Sequence, residues 1–192
     1  MGLFISPLKL LQVEQAAKFN AMGIPAVAVN GDTWDADSEM AKKLKSGAYR
    51  AIFAGPEMCR KHEPFRACIR ELSKRFCVLG IDEGHCVYQW GGKFRPDYSL
   101  LAELLALLPI RIPILVVSAT MNRKCLKTVT EKLTISLNTS FFLNLGNDRP
   151  NISTSVVHMN SSEDYAALEP FLVLNAKRAS DVTSSPFFDT KI

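Results

Sequence analysis

The sequence predicts an α/β fold in which a parallel sheet is covered by helices on both faces. Short apolar runs alternate along the chain with longer segments of helical period. The runs are apolar at consecutive positions, which is typical of strands buried on both faces and therefore of parallel sheets. Polar motifs follow several of these runs, as they do at the ligand-binding edge of such a sheet.

Five apolar runs are the expected strands. They are Leu3–Ile5, Ala26–Val29, Ala51–Ala54, Phe76–Ile81 and Ile114–Val117. The segments with helical period between and after them predict helices at residues 8–22, 39–45, 64–75, 100–108 and 122–133. Residues 30–32, Asn-Gly-Asp, predict a turn.

The first predicted helix follows two residues that favour helix initiation. Ser6 is a good N-cap and Pro7 a good first helical residue. Gly23 is expected to end this helix. The apolar period assigns its inward face to Leu8, Leu11, Gln15, Phe19 and Met22.

Composition limits the class of protein. The chain has 192 residues, of which 47% are hydrophobic and 22% charged, which is enough apolar material for a core. The net charge of +4 is compatible with nucleic acid but too small to indicate it alone. Five cysteines are an odd number, so we expect free thiols, an intracellular protein and no disulfide-linked partner. Charged residues and prolines interrupt the most apolar stretch, residues 100–119, so no membrane partner is expected.

Four polar motifs come directly after predicted strands. They are Ser6-Pro7, Gly55-Pro56-Glu57, Asp82-Glu83 and Ser118-Ala119-Thr120. Because the carboxyl ends of parallel strands meet at one edge of the sheet, we expect these motifs to share that edge.

The acidic pair is the strongest chemical signal among these motifs. Asp82 at the end of a rigid strand is suited to hold Mg²⁺ beside nucleoside phosphates, and Glu83 is suited to orient and deprotonate a water. An isolated Asp-Glu pair is more often a solvated turn. Here residues 84–98 follow, and they are rich in aromatic side chains.

With that segment included, the sequence resembles the first helicase domain of the RecQ family of ATP-dependent DNA helicases. Asp82-Glu83-Gly84-His85 is similar to the family's Asp-Glu-Ala-His motif, and residues 86–98 to the aromatic loop after it. The other three strand-end motifs resemble further helicase motifs in the same order, and Asp148-Arg149-Pro150-Asn151 resembles the segment that leads to the second domain. The resemblance implies an incomplete RecA-like fold of the P-loop NTPase type, with ATP and Mg²⁺ as cofactors.

The resemblance also implies roles for individual residues. It implies catalytic roles for Asp82, Glu83 and His85, with His85 linking the nucleotide and DNA sites. Contacts to DNA, either single-stranded or at a junction, are implied for Ser6, Pro7, Gly55, Pro56, Glu57, Trp90, Phe94 and Arg95. Coupling of hydrolysis to motion is implied for Gln89, Ser118, Ala119 and Thr120.

Several of these roles compete with structural ones. Trp90 and Phe94 could instead pack in the core. Arg95 is equally suited to pair with a phosphate or with a carboxylate. Ser118 and Thr120 could instead cap the helix that begins near Asn122.

The sequence departs from the family pattern at three places. Gly84 replaces the usual Ala, and Gly92 and Lys93 replace the usual His and Asp. The P-loop pattern G-x-x-x-x-G-K-[ST] does not occur in the 192 residues. We therefore expect residues 1–150 to be a partial ATP-binding domain and residues 151–192 to be a linker or the start of a second helicase domain.

The sequence thus predicts part of an ATP-dependent 3′-to-5′ DNA helicase, nuclear if the source is a eukaryote, whose activity as this chain alone is not expected. One alternative is a nucleic-acid-binding helicase remnant that does not turn over ATP. Another is an unrelated metal-dependent hydrolase that uses Asp82, Glu83 and His85. A zinc site formed by Asp82, His85 and Cys86 is a weaker idea.

Overall fold

Five parallel strands form one sheet in the computed structural model, which describes residues 1–89, 101–109, 112–146, 151–152, 158–159, 161 and 163–164. The strands are β1 (Gly2–Ile5), β2 (Ala26–Val29), β3 (Ala51–Ala54), β4 (Val78–Ile81) and β5 (Ile114–Val116), in the spatial order β2-β3-β1-β4-β5. All five predicted strands are confirmed, with ends that shift by at most two residues.

Eight helices in the described ranges connect and cover the strands. They are α1 (Lys9–Ala21), α2 (Gly31–Ala36), α3 (Met40–Ser46), α4 (Pro56–Lys61), α5 (Glu63–Leu72), α6 (Cys86–Gln89), α7 (Leu101–Leu105) and α8 (Arg123–Lys132). Short 3₁₀ turns occupy Ser73–Arg75 and Leu137–Thr139. The five predicted helices are confirmed, while α2, α4 and α6 were not expected from the sequence. None of the helices described is long and apolar enough to cross a membrane.

The predicted turn at residues 30–32 is wrong, because Asn30 starts a helix there. The Asn30 side chain accepts a hydrogen bond from the Thr33 N–H, and the Thr33 hydroxyl accepts one from the Asn30 N–H. This reciprocal capping box satisfies two backbone donors at the beginning of α2.

The prediction that Ser6 caps α1 is also wrong. The Ser6 N–H donates to the Ala54 carbonyl at 3.0 Å, so Ser6 continues the hydrogen bonding of β1 with β3. The N-cap of α1 is Leu8, which provides no side-chain cap. Helix α1 therefore begins at Lys9, two residues after the predicted start at Pro7.

The inward face of α1 differs from the predicted one. The buried residues of this helix are Gln12 and Ala16. Leu8 is 48% exposed and Met22 is 64% exposed. The error arises because apolar residues occur on more than one face of α1. The sequence pattern alone therefore does not identify which face is buried.

Both faces of the sheet are covered, as predicted. Leu3 and Ile5 point into the larger apolar cluster, which also contains Phe65 of α5. Phe4 lies on the other face, where its ring stacks on Phe53 at 5.0 Å and meets the edge of Phe19 at 5.8 Å. Phe19 belongs to α1. Alternate side chains of β1 therefore pack against different helices, with Phe4 facing α1 and its neighbours facing α5.

Strand β5 lies at an edge of the sheet and is less covered than the other strands. Its inner side pairs with β4, and no strand in the described ranges pairs with its outer side. Leu115 is 53% exposed, and Val117, directly after the strand, is 45% exposed. An apolar, unpaired edge of this kind invites the addition of another strand.

The chain divides into two compact units. Unit 1 is Met1–Phe142 and contains the whole sheet, and unit 2 is Leu143–Ile192, of which only a few residues are described. The predicted division at residue 150 stays a prediction.

Candidate functional site at the carboxyl edge of the sheet

The strand-end motifs share one edge of the sheet, as predicted. The last residues of the five strands are aligned, since Ile5 pairs with Ala54 and Ile81, Val29 with Ala54, and Ile81 with Val116. The residues that follow these strand ends therefore form a row. In spatial order they are Asn30, Gly55, Ser6, Asp82 and Val117.

The acidic pair is held in a tightly hydrogen-bonded turn after β4. The Asp82 N–H donates to the Ile5 carbonyl at 2.9 Å, and the Glu83 N–H donates to the Asp82 carboxylate at 2.8 Å. Glu83 has a φ of 50°, in the left-handed region that side chains rarely adopt. The Gly84 N–H then donates to the Val117 carbonyl at 2.9 Å. These bonds compensate for the unfavourable backbone at Glu83.

His85 connects the acidic pair with the segment after β5. Its Nδ1 lies 3.1 Å from Glu83 Oε2 and 3.0 Å from Ser118 Oγ. Both oxygens lie within hydrogen-bond distance of the same ring nitrogen, so a proton on Nδ1 would be shared between them. Ser118 Oγ also accepts a hydrogen bond from the Thr120 N–H at 3.3 Å. Glu83, His85, Ser118 and Thr120 thus form one continuous polar network.

This network does not have the geometry of a catalytic triad. In a triad, the imidazole bonds the acid through one nitrogen and the serine through the other. Here both Glu83 and Ser118 contact Nδ1, and Nε2 faces the Cys86 sulfur at 3.8 Å. The arrangement suits transmission of a change between two strand ends better than activation of Ser118 as a nucleophile.

Gly84 has a packing reason to lack a side chain. A Cβ at this position would lie 2.3 Å from Val116 Cγ1 and 3.3 Å from Met121 Cε. Val116 of β5 therefore occupies the space that an alanine methyl would need. Glycine in place of the usual alanine of the Asp-Glu-Ala-His motif thus leaves room for the Val116 side chain.

A second feature of the edge is a groove of about 450 Å³ at the ends of β1, β2 and β3. It is lined by Pro7, Leu8, Lys9, Gln12, Asn30, Gly31, Gly55, Glu57 and Met58. Lys9 forms a 2.8 Å ion pair with Asp32, and both side chains are largely exposed. Among the described lining residues, Lys9 is the one cation and Glu57 the one anion, and Lys9 is already paired with the Asp32 carboxylate.

The structure brings together some of the predicted site residues. Pro7, Gly55 and Glu57 line the groove, while Pro56 is buried as the first residue of α4. Ser6 is 2% exposed, and its Oγ has no hydrogen-bond partner. Ala119 and Thr120 are exposed beside Ser118.

Other predicted residues lie in or beside the aromatic loop. Trp90, Phe94 and Arg95 lie outside the described residues, and so does the side chain of Gln89, whose backbone ends α6. Their predicted roles stay predictions. Asn122 caps α8 with its own side chain, which accepts from the Cys125 N–H at 2.9 Å, so Ser118 and Thr120 are not the caps of that helix.

Sequence reasoning missed four polar residues at the groove. They are Lys9, Gln12, Asn30 and Asp32. Their positions in the sequence could have identified them, because each comes soon after a predicted strand and so near the carboxyl edge of the sheet. Gln12 was hidden because the apolar period assigned Gln15, rather than Gln12, to the inward face of α1.

The five cysteines belong to no group arranged for a metal ion in the part of the chain that the structure describes. All five are free thiols, and four of them are buried. Burial raises the pKa of the Cys59 and Cys125 thiols, which keeps them protonated at neutral pH. Across the described ranges, no three His, Cys, Asp or Glu side chains are arranged to hold a metal ion. The zinc site and the metal-dependent hydrolase therefore gain no support.

Comparison with known proteins gives a consistent result. The sequence profile of DEAD/DEAH box helicases matches residues 1–129. The ATP-dependent DNA helicase RecQ of Haemophilus influenzae is 32% identical over 154 residues, which are 79% of this chain and 24% of that protein. The ATP-dependent DNA helicase Q-like 4B of Arabidopsis thaliana is 34% identical over 160 residues, 81% of this chain and 14% of that protein.

A longer match covers more of the chain. The bifunctional 3′-5′ exonuclease/ATP-dependent helicase WRN of Mus musculus is 28% identical over 181 residues, 93% of this chain and 12% of that protein. The chain thus spans a quarter or less of the length of these three relatives.

Two solved structures share the fold. The helicase domain of Pyrococcus furiosus Hef matches with a TM-score of 0.51 and 18% identity, over 69% of this chain and 26% of that chain. The DUF1998 helicase MrfA, bound to DNA and AMPPNP, matches with a TM-score of 0.52 and 23% identity, over 69% of this chain and 19% of that chain. The predicted α/β fold of the RecA-like type is confirmed.

Proposed function

Because this chain belongs to the DEAD/DEAH box helicases and, within them, to the RecQ family, we propose that it serves an ATP-dependent 3′-to-5′ DNA helicase as the part that couples nucleotide to DNA. The observation that carries this proposal is the contact of His85 with both Glu83 and Ser118. It gives the end of β4 a direct polar connection to the end of β5. A change at the acidic pair can therefore alter the position of the segment around Ser118.

The acidic pair fits a magnesium nucleotide. Mg²⁺ in such sites is bound through one or two carboxylates and the phosphates, and it keeps several waters. Asp82 at the end of β4 would hold the ion, which supplies charge stabilisation to the transferring phosphoryl group. Glu83 would orient the attacking water, and its contact with His85 limits the directions in which its carboxylate can point.

The groove fits the backbone of single-stranded DNA. Apart from Lys9 and Glu57, the lining residues are uncharged, and Gly31 and Gly55 add little side-chain bulk. Lys9 supplies the cation for a phosphate, in competition with Asp32. The electrostatic contribution is small, so we propose weak binding that salt suppresses. In the aromatic loop, Trp90 and Phe94 would stack on bases, and Arg95 would contact a phosphate. Coupling to the nucleotide site would fall to Gln89, Ala119 and Thr120.

The Lys9–Asp32 pair offers a test with two opposite outcomes. Lys9→Gln removes the phosphate partner and should weaken binding of a labelled oligothymidylate in fluorescence anisotropy. Asp32→Asn leaves Lys9 without its competing carboxylate and should tighten it. Both side chains are largely exposed, so neither change is expected to disturb the core.

The salt dependence gives a second measurement. A single-stranded contact contributes a slope of about −0.7 per neutralised phosphate in a plot of log K against log salt concentration. Lys9→Gln should therefore make the slope shallower by about that amount. If both variants bind like the unmodified chain, or if both weaken binding equally, the groove is not the DNA site.

The aromatic loop needs a separate comparison. Trp90→Ala should reduce binding at low salt by removing one stacking platform. Phe141→Ala is the matched control, because it truncates an aromatic side chain that is 89% exposed outside this loop. If Trp90→Ala and Phe141→Ala lose equal amounts of DNA-binding affinity, Trp90 has no specific role in DNA binding.

A second candidate is a nucleic-acid-binding helicase remnant without ATP turnover. It differs from the first candidate in that the groove and the aromatic loop bind DNA while Asp82 and Glu83 take no part in ATP hydrolysis. Binding of DNA without binding of a fluorescent ATP analogue would favour this candidate. In either case we propose an intracellular protein, nuclear in a eukaryote, with residues 151–192 leading toward a second helicase domain.

A further inference from the structure

Gln12 is a polar residue in an unusual place. It lies on the face of α1 that packs on the sheet and is only 2% exposed. Burial of a primary amide is unfavourable unless its donors and acceptors are bonded. Both ends of the Gln12 amide have partners: Nε2 donates to the Ser6 carbonyl at 2.9 Å, and Oε1 accepts from Asn30 Nδ2 at 3.4 Å.

The direction of these bonds is fixed by the backbone groups at their ends. The Ser6 carbonyl can only accept, so it requires the NH₂ group of Gln12. The Thr33 N–H can only donate, so it requires Oδ1 of Asn30, at 3.2 Å. The NH₂ group of Asn30 is then the one that faces Oε1 of Gln12. The two amides therefore have a single orientation.

Gln12 also approaches the third loop of the groove. A Cβ built on Gly55 would lie 3.3 Å from Gln12 Nε2, so the Gln12 amide lies beside that glycine. One side chain thus hydrogen-bonds to the loops that follow β1 and β2 and lies next to the loop that follows β3. These three loops provide most of the lining of the groove.

We infer that Gln12 is a positioning residue that fixes the three loops of the groove relative to one another and so shapes the path for single-stranded DNA. The identity of the ligand, single-stranded DNA, is taken from the proposed function, and the inference rests on it in that respect. Gln12 acts through Ser6, Asn30 and Gly55, and its buried amide is not itself needed as a DNA contact. The inference also gives the buried Ser6 a function: its carbonyl anchors the loop that carries Pro7 and Lys9.

Two variants test the inference in the 192-residue chain. Gln12→Met preserves side-chain length and removes both hydrogen bonds. Asn30→Asp keeps the oxygen that caps α2 but replaces the donor to Gln12 with an acceptor. Gln15→Met is the matched control, because it makes the same substitution one turn along α1 at a partly exposed position.

The measurements are hydrogen–deuterium exchange and binding of labelled oligothymidylate at low salt. We expect faster exchange in peptides that cover residues 6–12, 28–34 and 53–58 in both variants, with no change in the peptide that covers β4. Binding should weaken about tenfold in Gln12→Met, because part of the binding free energy is then used to order the three loops. The control should match the unmodified chain in both measurements.

Three outcomes would overturn the inference. The first is unchanged exchange in the three loops, and the second is faster exchange in β4 as well, which would make Gln12 a general stabiliser. The third is altered loops with undiminished DNA binding. If the unmodified chain does not bind DNA, the proposed function fails, and the exchange pattern alone then decides whether Gln12 fixes the loops. If Gln12→Met does not fold, the exchange pattern of Asn30→Asp decides alone, because its added charge in the groove lining weakens DNA binding by itself.

Discussion

Replacement of Gly84 with alanine tests the packing of the acidic motif against β5. The new methyl carbon would lie 2.3 Å from Val116 Cγ1, well inside the distance at which carbon atoms repel. Met121 Cε, at 3.3 Å, is at the end of a flexible side chain and can move away. Val116 is β-branched and belongs to a strand, so it has few alternative rotamers. The strain therefore falls mainly on the Gly84–Val116 contact.

The expected cost follows from studies of overpacked cores. Adding a methylene-sized group to a well-packed site costs about 1–3 kcal/mol. For a chain of this length, that cost corresponds to a fall of roughly 2–12 °C in the melting temperature. The turn at Glu83 should also shift, because the Gly84 N–H bonds the carbonyl of Val117, next to the crowded side chain.

A double-mutant cycle separates this contact from other effects of the substitution. Val116→Ala removes the methyl groups that would clash, at a cost of about 1 kcal/mol for a half-buried valine. In Gly84→Ala/Val116→Ala, the two costs should not add, and the coupling energy should be about 1–2 kcal/mol in favour of the double variant. Gly31→Ala is the control, since nothing lies within 4 Å of a Cβ at Gly31.

Urea unfolding followed by circular dichroism provides the free energies for the cycle. The reasoning is refuted if Gly84→Ala is as stable as the unmodified chain. It is also refuted if Val116→Ala adds its full cost to that of Gly84→Ala, because the clash would then lie elsewhere.

Three further predictions concern other parts of the edge. Ser118→Ala removes the hydroxyl shared by His85 and Thr120 and should lower the free energy of unfolding by about 1 kcal/mol; no change in urea unfolding would contradict the network. Leu115→Lys places a charge on the open edge of β5 and should reduce self-association in sedimentation velocity, whereas Leu137→Lys, at a residue exposed to a similar degree, should not. The 192-residue chain should release no measurable phosphate from ATP, because it lacks the P-loop pattern; DNA-stimulated release that is lost in Glu83→Gln would disprove this.

The sequence was sufficient for the sheet and for the row of motifs along its edge. Consecutive apolar residues predict buried strands, and parallel strands necessarily bring Asp82 and Ser118 to the same edge. The coupling role that the family resemblance implies for Ser118 stays a prediction, and the structure adds to it a contact with His85. No local pattern specifies that contact, because its two residues are 33 positions apart.

Three features escaped prediction for physical reasons. Ser6 matched the chemistry of a cap, but its N–H was needed by Ala54 in the sheet. Asn30 followed a strand and preceded a glycine, a pattern shared by turns and by caps, and only the bond with Thr33 decides between them. Gln12 was overlooked because burial of an amide depends on partners in two other loops, which local periodicity does not contain.

The outer side of β5, which no strand among the described residues pairs with, has a geometrical consequence. The sheet has β2 at one margin and β5 at the other, and all its strands run in the same direction. A second molecule that attached its β2 margin in the same direction would leave its own β5 margin open again. Such growth has no closing step, so it would yield an indefinite ribbon instead of a finite pair.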